Sequence, residues 1–240
     1  MSTLPLLVCI PLGILGLCSN YLPHLSRFVQ QRRIKEQCIA TRTLVLTYDD
    51  GPGRILTPLL LDLLAGEGVK STFFLLGHQA QRYPQLIDRI VEEGHEVGCH
   101  TQRHLNAWRA WPWQAFRDIY EGYTTLSPWV HGNGIFRPPN GKVSLATWLS
   151  LLRRQAQVGW WTVDTKDSLD SQIPCPRESV DSIRREGGGV VLMHDYHQDS
   201  ERIEFVLDTT QQLIDCAKTE GFKIRRLGDL MTSNDLISHE

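Results

Sequence analysis

The sequence lacks the features that would place it in several large classes of protein. Its six cysteines form no C-x-x-C pair, so neither a thiolate zinc site nor a disulfide framework is indicated. The formal net charge of −2 at pH 7 gives no basic surplus for a nucleic-acid partner. There is no long run of like charge and no repeat at a solenoid or propeller period. A G-x-S-x-G motif is also missing, which argues against a Ser-His-Asp hydrolase.

What remains is the composition of an ordinary folded protein. The chain has 240 residues, of which 41% are hydrophobic and 22% are charged. This balance is too apolar for a disordered chain. The length fits one α/β domain with a core large enough to need no disulfide bonds.

The N-terminus carries one long apolar run, LPLLVCIPLGILGLC, over residues 4–18. It is shorter than the ~20 residues of a standard membrane-spanning helix. No basic region precedes it and no A-x-A cleavage site is evident, so it is not a standard secretory signal. We predict membrane association through this run, with an uncleaved arm packed on the domain as the alternative. The location stays open between a membrane and the cell envelope or secretion, and so does the topology.

From Thr43 onward, strand-like and helix-like segments alternate. The predicted strands are Thr43–Tyr48, Ser71–Leu76, Glu96–Cys99, Gly134–Arg137, Val158–Val163, Val190–Met193 and Phe222–Leu227. The predicted helices are Leu56–Ala65, Gln81–Glu93, Gln114–Leu126, Leu145–Gln155, Glu178–Glu186 and Phe205–Thr219. So many βα units in one domain predict α/β architecture, a single distorted parallel (β/α) barrel of about seven strands. The predicted division is a hydrophobic segment and basic linker (1–40), a catalytic domain (41–232) and a tail (233–240).

Residues suited to catalysis follow five of the predicted strands. They are Asp49 and Asp50, His100 and His104, Arg137, Asp164 and Asp167, and His194. In (β/α) barrels the active site lies at the carboxyl ends of the strands. We therefore expect these side chains to lie close together at one mouth of the barrel.

Three of these residues form a candidate metal site. His100 and His104 are four residues apart and would share one face if the backbone there were helical. Asp49 and Asp50 point in different directions at a strand end, so one carboxylate can bind a metal while the other stays free. Two histidines and one carboxylate leave coordination positions open, as a catalytic zinc site requires.

Five motifs, in order along the chain, closely resemble those of the polysaccharide deacetylase family, carbohydrate esterase family 4, which includes chitin and peptidoglycan deacetylases. The resemblance extends over roughly 43–230. The motifs are Thr47–Pro52 (TYDDGP), His100–His104 (HTQRH), Arg137–Pro139 (RPP), Val163–Asp167 (VDTKD) and Leu192–Asp195 (LMHD).

The resemblance implies a (β/α) barrel enzyme that removes an N-acyl group, usually acetyl, from an amino sugar. Asp50, His100 and His104 would bind a divalent metal, with Zn²⁺ as the default and Co²⁺ or Mn²⁺ as alternatives. Asp49 would be the general base, oriented by Arg137.

The resemblance also assigns the acid side of the reaction. His194 would be the general acid for the leaving amine. Asp167, together with Asp164, would hold and tune that histidine. The oxyanion would rest on the metal and on a backbone N–H in the turn after Asp50 or beside Asn140.

Four positions depart from the family pattern: Tyr48, Leu105, Asn140 and Ser168. Asn140 and Ser168 fall where the family shapes its substrate groove, so the substrate class is left open. The first function predicted is a deacetylase of an amino sugar in a glycan or glycolipid. The second is a deformylase or deacetylase of a lipid-linked sugar or small amide. The third, from another class, is an inactive carbohydrate-binding relative.

Other polar and aromatic residues are predicted to be structural. His78, His95 and His131 lie outside the motifs, and Asp195 is expected to be a hydrogen-bonding residue of the fold. The cluster W-R-A-W-P-W over 108–113 could stack on sugars, sit at a membrane interface or pack a loop on the barrel rim.

Overall fold

The computed structural model describes residues 4–169 and 173–232, with the backbone alone for 4–20, 22 and 24. The predicted tail 233–240 lies outside the described residues. The strands are β1 (Thr43–Asp49), β2 (Thr72–Leu75), β3 (Glu96–Cys99), β4 (Ile135–Phe136), β5 (Gln157–Val158), β6 (Val163–Asp164), β7 (Gly189–His194) and β8 (Lys223–Ile224). The helices are α1 (Leu4–Thr41), α2 (Leu56–Glu67), α3 (Gly77–Arg82), α4 (Pro84–Glu92), α5 (Pro112–Leu126), α6 (Leu145–Arg154), α7 (Pro176–Glu186), α8 (Ser200–Glu220) and α9 (Leu227–Thr232).

The strands form one parallel sheet in the order β5-β4-β3-β2-β1-β7-β6, and β8 pairs with the start of β1. The described strand pairs are parallel, and helices connect successive strands except between β5 and β6. The predicted single-domain, distorted (β/α) barrel of about seven strands is therefore confirmed.

Strand β1 shows how the sequence places two of its polar residues inside the barrel. All seven of its residues are buried. Successive side chains point to opposite faces of a strand. Leu44, Leu46 and Tyr48 pack in the cluster beneath the helices, whereas Val45 packs with Phe74 in a separate cluster. The same alternation sends Thr47 and Asp49 to the Val45 side, which is the barrel interior.

The predicted strand Val158–Val163 is wrong as a single strand. Its start, β5, pairs with β4 at one sheet edge, and its end, β6, pairs with β7 at the other. The four residues between them, Gly159–Thr162, cross from edge to edge, and we call them the seam. Gly159 N–H donates to Phe136 O at 2.8 Å and Thr162 N–H donates to Val190 O at 2.8 Å. The seam passes close over the interior, because a Cβ on Gly159 would lie 2.6 Å from the Phe74 ring.

Two other predicted elements, a helix and the last strand, also differ from the structure. The helix predicted over Gln81–Glu93 is two helices, α3 and α4, divided at Tyr83 because Pro84 disfavours helical backbone before it. The last predicted strand is shorter, and Leu227 begins α9. Backbone N–H groups at the start of α9 donate to Thr72 Oγ1 and Glu96 Oε2, at the amino ends of β2 and β3. Helix α9 therefore covers the end of the barrel opposite the site.

Helix α1 runs through the predicted N-terminal segment and basic linker. Its second half buries Ile34 and Cys38 against the barrel. It also covers the seam, because Trp160 Nε1 donates to Gln30 Oε1 at 2.8 Å and Gln31 Nε2 donates to Trp161 O at 2.9 Å. The division of the chain at residues 40 and 41 stays a prediction.

The predicted membrane association falls on residues 4–18, whose side chains lie outside those described. Within the described part of the chain, no helix is both long enough and apolar enough to span a membrane.

The packing of α1 gives a stability prediction with a control on the same helix. Ile34 is 7% exposed and Ile39 is 41% exposed. We expect Ile34→Ala to lower the free energy of unfolding in urea by about 2–4 kcal/mol. Ile39→Ala should lower it by less than about 1 kcal/mol. Equal, small losses for the two variants would show that α1 does not pack on the barrel.

Candidate active site

Asp50, His100 and His104, the three predicted metal ligands, lie together at the carboxyl ends of β1 and β3. Asp50 Oδ1 is 3.4 Å from Nε2 of His100 and 3.4 Å from Nε2 of His104. The three ligand atoms all lie within 4.8 Å of one another. Asp50 Oδ1 is buried and has no hydrogen-bond partner among the described residues. A buried, unpaired carboxylate oxygen facing two imidazole nitrogens fits a divalent cation.

The two histidines do not converge through a helix, as their spacing had suggested. Residues 100–104 are irregular, and Thr101 and His104 have left-handed backbone, with φ of +72° and +59°. These two residues turn the chain so that both rings face Asp50. The His104 N–H donates to Thr101 Oγ1 at 3.0 Å and holds this loop.

Both imidazoles present Nε2 to the candidate metal position. His100 Nδ1 lies 2.7 Å from Arg137 O, a contact that places the proton on Nδ1 and leaves the Nε2 lone pair free. Burial lowers the pKa of His104 despite the opposing charge of Asp50. The neutral imidazole, the form that binds a metal, is therefore favoured.

Asp49 lies beside this trio and is held by Arg137. The Arg137 Nη1 donates to Asp49 Oδ1 at 2.8 Å and to Thr47 Oγ1 at 2.7 Å. Its Nε donates to Gly159 O of the seam at 2.8 Å, and its guanidinium lies 4.0 Å above the Phe74 ring. The other carboxylate oxygen, Asp49 Oδ2, is 3.8 Å from His100 Nε2. Arg137 thus occupies one oxygen and leaves the other on the side of the trio.

His194, at the end of β7, forms a second buried pair with Asp167. Its Nδ1 is 2.8 Å from Asp167 Oδ1, and its backbone N–H donates to Asp167 Oδ2 at 2.8 Å. Burial lowers the pKa of His194, but the negative charge of Asp167, aided by Asp49 and Asp50, outweighs it and raises the pKa to about 9. Burial likewise raises the pKa of Asp167, and its contacts with His194 and His197 outweigh this and hold the pKa well below its usual value.

The hydrogen bond described for Asp164 lies within its own loop, and His197 is a further neighbour of Asp167. The exposed Asp164 accepts from Lys166 N–H at 2.8 Å, within its own loop, whereas the contacts to His194 come from Asp167. His197 is buried with Nε2 3.3 Å from Asp167 Oδ2, so it shares the carboxylate that holds His194. Its position three residues after His194 was the only signal in the sequence.

The turn that follows Asp50 packs against Asp195. This fully buried carboxylate accepts from Thr57 Oγ1 at 2.5 Å, and burial raises its pKa to about 7. A Cβ on Gly51 would lie 2.2 Å from the Asp195 carboxylate, and one on Gly53 would lie 2.1 Å from its carbonyl oxygen. Only glycine fits at these two positions, so the turn after Asp50 packs directly on Asp195.

Two of the histidines outside the motifs make contacts with the fold and not with the candidate site. The buried His95 accepts Ser71 N–H on Nδ1 at 3.1 Å. His78 Nδ1 lies 2.9 Å from Gln102 O. His131 is exposed in the turn before β4.

Comparison with known proteins identifies the family. The model of the polysaccharide deacetylase family matches residues 36–158. A peptidoglycan-N-acetylglucosamine deacetylase of Bacillus cereus is 29% identical over 192 residues, which are 79% of this chain and 88% of the relative. A chitooligosaccharide deacetylase of Bradyrhizobium is 30% identical over 204 residues, 79% of this chain and 91% of the relative.

A solved structure agrees with these sequence relatives. The peptidoglycan N-acetylglucosamine deacetylase Bc1960 superposes with a TM-score of 0.71 and 26% identity, covering 80% of this chain and 89% of that one. The chain therefore belongs to the polysaccharide deacetylase family and is a hydrolase of carbon–nitrogen bonds.

Proposed function

We propose that the chain is a metal-dependent deacetylase that removes an N-acetyl group from an amino sugar of a glycan or glycolipid. The observation that carries the proposal is the convergence of Asp50, His100 and His104 on one point, with Asp50 Oδ1 buried and unpaired. The names of the relatives, which act on peptidoglycan and on chitooligosaccharides, support an amino-sugar substrate.

In this proposal, Asp50 Oδ1 and the Nε2 atoms of His100 and His104 hold one divalent ion, Zn²⁺ by default and Co²⁺ or Mn²⁺ otherwise. When bound, such an ion supplies a Lewis acid that polarises the acyl carbonyl and makes water more acidic. The three residues fit this ion, because two neutral imidazoles and one carboxylate leave coordination positions open.

The two buried pairs supply the proton transfers. Asp49 Oδ2 takes a proton from the attacking water, because Arg137 already occupies Oδ1. His194, protonated and held at Nδ1 by Asp167, donates from Nε2 to the departing amine. An amine is a poor leaving group unless it is protonated, so the acid is as necessary as the base.

The oxyanion needs a free backbone N–H, and two residues of the turn after Asp50 do not offer one. The Gly53 N–H donates to Thr57 Oγ1 at 2.7 Å, and Pro52 has no N–H. This counts against Gly53 as the oxyanion donor. The turn around Asn140, where φ is +52°, is the other predicted place.

The acid assignment predicts how the rate depends on pH. His194 acts when protonated, so kcat/KM should fall as pH rises through the pKa of His194, which, against the effect of burial, the charge of Asp167 raises above its ordinary value. Asp167→Asn removes the charge that raises this pKa, so the alkaline limb should move to lower pH by at least about one unit. The measurement is kcat/KM against pH. Asp164→Asn separates the two predicted carboxylates, because the limb should move only if Asp164 also tunes His194.

The substrate class is tested directly by acetate release. Chitin oligomers, peptidoglycan fragments and lipid-linked N-acetyl sugars should be compared by the acetate they release, and an N-formyl sugar should be assayed alongside them by the formate it releases. Acetate release that requires the metal supports the proposal. Tight sugar binding without product at any metal loading would instead favour the inactive carbohydrate-binding relative.

A further inference from the structure

Two tryptophans that the proposed chemistry does not use are exposed where the loop after His104 meets α5: Trp111 directly precedes the helix and Trp113 lies in its first turn. Trp111 and Trp113 are each 63% exposed, and their rings stack with centroids 5.1 Å apart and planes 13° apart. Trp108, on the same loop, packs on the rim instead: its Nε1 donates to Val143 O at 3.0 Å, and its ring lies 5.4 Å from Tyr21. Packing on the rim therefore explains Trp108 but not Trp111 and Trp113, which we call the tryptophan pair.

The loop holds the tryptophan pair in place. The buried carboxylate of Asp118 accepts N–H groups of Arg103 and Leu105 at 3.0 and 3.2 Å, on either side of His104. At the other end of the loop, Trp111 N–H donates to Gln114 Oε1 at 3.0 Å, and Gln114 N–H donates to Trp111 O at 2.9 Å. These hydrogen bonds hold the backbone that carries Trp111, so less conformational freedom of the chain is lost there when a ligand binds.

The pair also belongs to the mouth of the barrel. Its loop begins at His104, one of the candidate metal ligands. Asn106 Nδ2 donates to Asn140 Oδ1 at 3.2 Å, which joins the loop to the turn that follows Arg137. A substrate longer than one sugar, with its reacting unit at the metal trio, can extend across this rim.

We propose that Trp111 and Trp113 form a distal subsite that stacks on the sugar rings of an oligomeric N-acetylated amino-sugar substrate, beyond the unit that reacts. Indole rings combine a large apolar surface with a polar N–H, which suits the apolar faces and hydroxyl edges of pyranose rings. The inference rests on the proposed function, because it takes the substrate to be an amino-sugar glycan.

The test measures how the rate depends on substrate length. The full chain, loaded with Zn²⁺, is assayed on N-acetylglucosamine oligomers from dimer to hexamer. The quantity compared is the ratio of kcat/KM for the hexamer to kcat/KM for the dimer. In the double variant Trp111→Ala/Trp113→Ala this ratio should fall about tenfold, because stacking of this kind is worth a factor of about that size.

Two further variants act as controls. Trp148→Ala removes another partly exposed tryptophan, 44% exposed on α6, and should leave the ratio unchanged. Trp113→Phe keeps an aromatic face and should keep most of the length dependence. Thermal unfolding of each variant checks that the fold is intact.

The outcomes separate the two proposals. No acetate from any oligomer would count against the proposed function itself. Acetate release with the same length ratio in wild type and double variant would overturn the distal subsite alone. Loss of binding to phospholipid vesicles in the double variant, with the ratio unchanged, would overturn it in favour of a membrane contact.

Discussion

Asp49→Asn should lower the rate of acetate release by about 10²–10⁴-fold while Zn²⁺ still binds. An amide cannot take the proton that a carboxylate takes. Its oxygen can still accept the Arg137 Nη1–H that now reaches Asp49 Oδ1 at 2.8 Å, so the local structure should persist. The measurements are initial rates on an N-acetylglucosamine oligomer and zinc affinity by competition with a chromophoric chelator.

Arg137 offers a companion variant for the same base. Arg137→Lys keeps a positive charge but loses the fork that reaches Asp49, Thr47 and Gly159 O together. We expect it to slow turnover less than Asp49→Asn and to leave zinc affinity largely intact. A full rate in Asp49→Asn would show that another group is the base.

His104→Ala should weaken zinc binding by more than about 100-fold, since loss of a direct ligand exceeds the usual effect of losing a residue behind one. The remaining Asp50 and His100 supply only two ligand atoms. In wild type, a chelator should abolish acetate release and added zinc should restore it. In His104→Ala, zinc at the same concentration should restore little.

Thermal unfolding gives a readout of this site that does not depend on activity. Zinc at about 100 times its Kd should stabilise the wild-type fold by about 2.7 kcal/mol and raise its Tm. His104→Ala should show almost no zinc-dependent rise. His131→Ala, at an exposed histidine in the turn before β4, should respond like wild type. The same zinc affinity in all three proteins would refute the assignment of His104 as a zinc ligand beside Asp50 and His100.

The sequence predicted the barrel from its alternating strands and helices. It predicted the convergence of the site residues because they lie at the carboxyl ends of those strands. Asp49, His100 and His194 each stand at or just after the carboxyl end of a strand, and a parallel barrel brings those ends together. The alternation along β1 even places Asp49 on the interior face.

The sequence did not predict the features that depend on contacts between residues far apart in the chain. VGWWTV has the composition of one buried strand, but its two ends pair with β4 and β7, on opposite edges of the sheet. The spacing of His100 and His104 suggested a helix, whereas two left-handed residues bring the rings together.

The choice between neighbouring carboxylates was also beyond sequence reasoning. Asp164 and Asp167 are three residues apart, and either could face His194. The loop conformation, with φ of +60° at Lys166, buries Asp167 and leaves Asp164 exposed. The contact between His197 and Asp167 depends on the path of β7 and of the loop after it, which the sequence alone does not reveal.

The way α1 covers the seam affects how the protein can be trimmed for recombinant production. The family match begins at residue 36, near the C-terminal end of this helix, which ends at Thr41. A polypeptide started there would lack Gln30 and Gln31, which bind Trp160 and the Trp161 carbonyl. The Nε of Arg137 donates to Gly159 O in the seam. Without this part of α1, the seam would lose the helix that packs on its outer side. An expression boundary drawn from family similarity alone would thus remove the outer support of Asp49, the proposed general base.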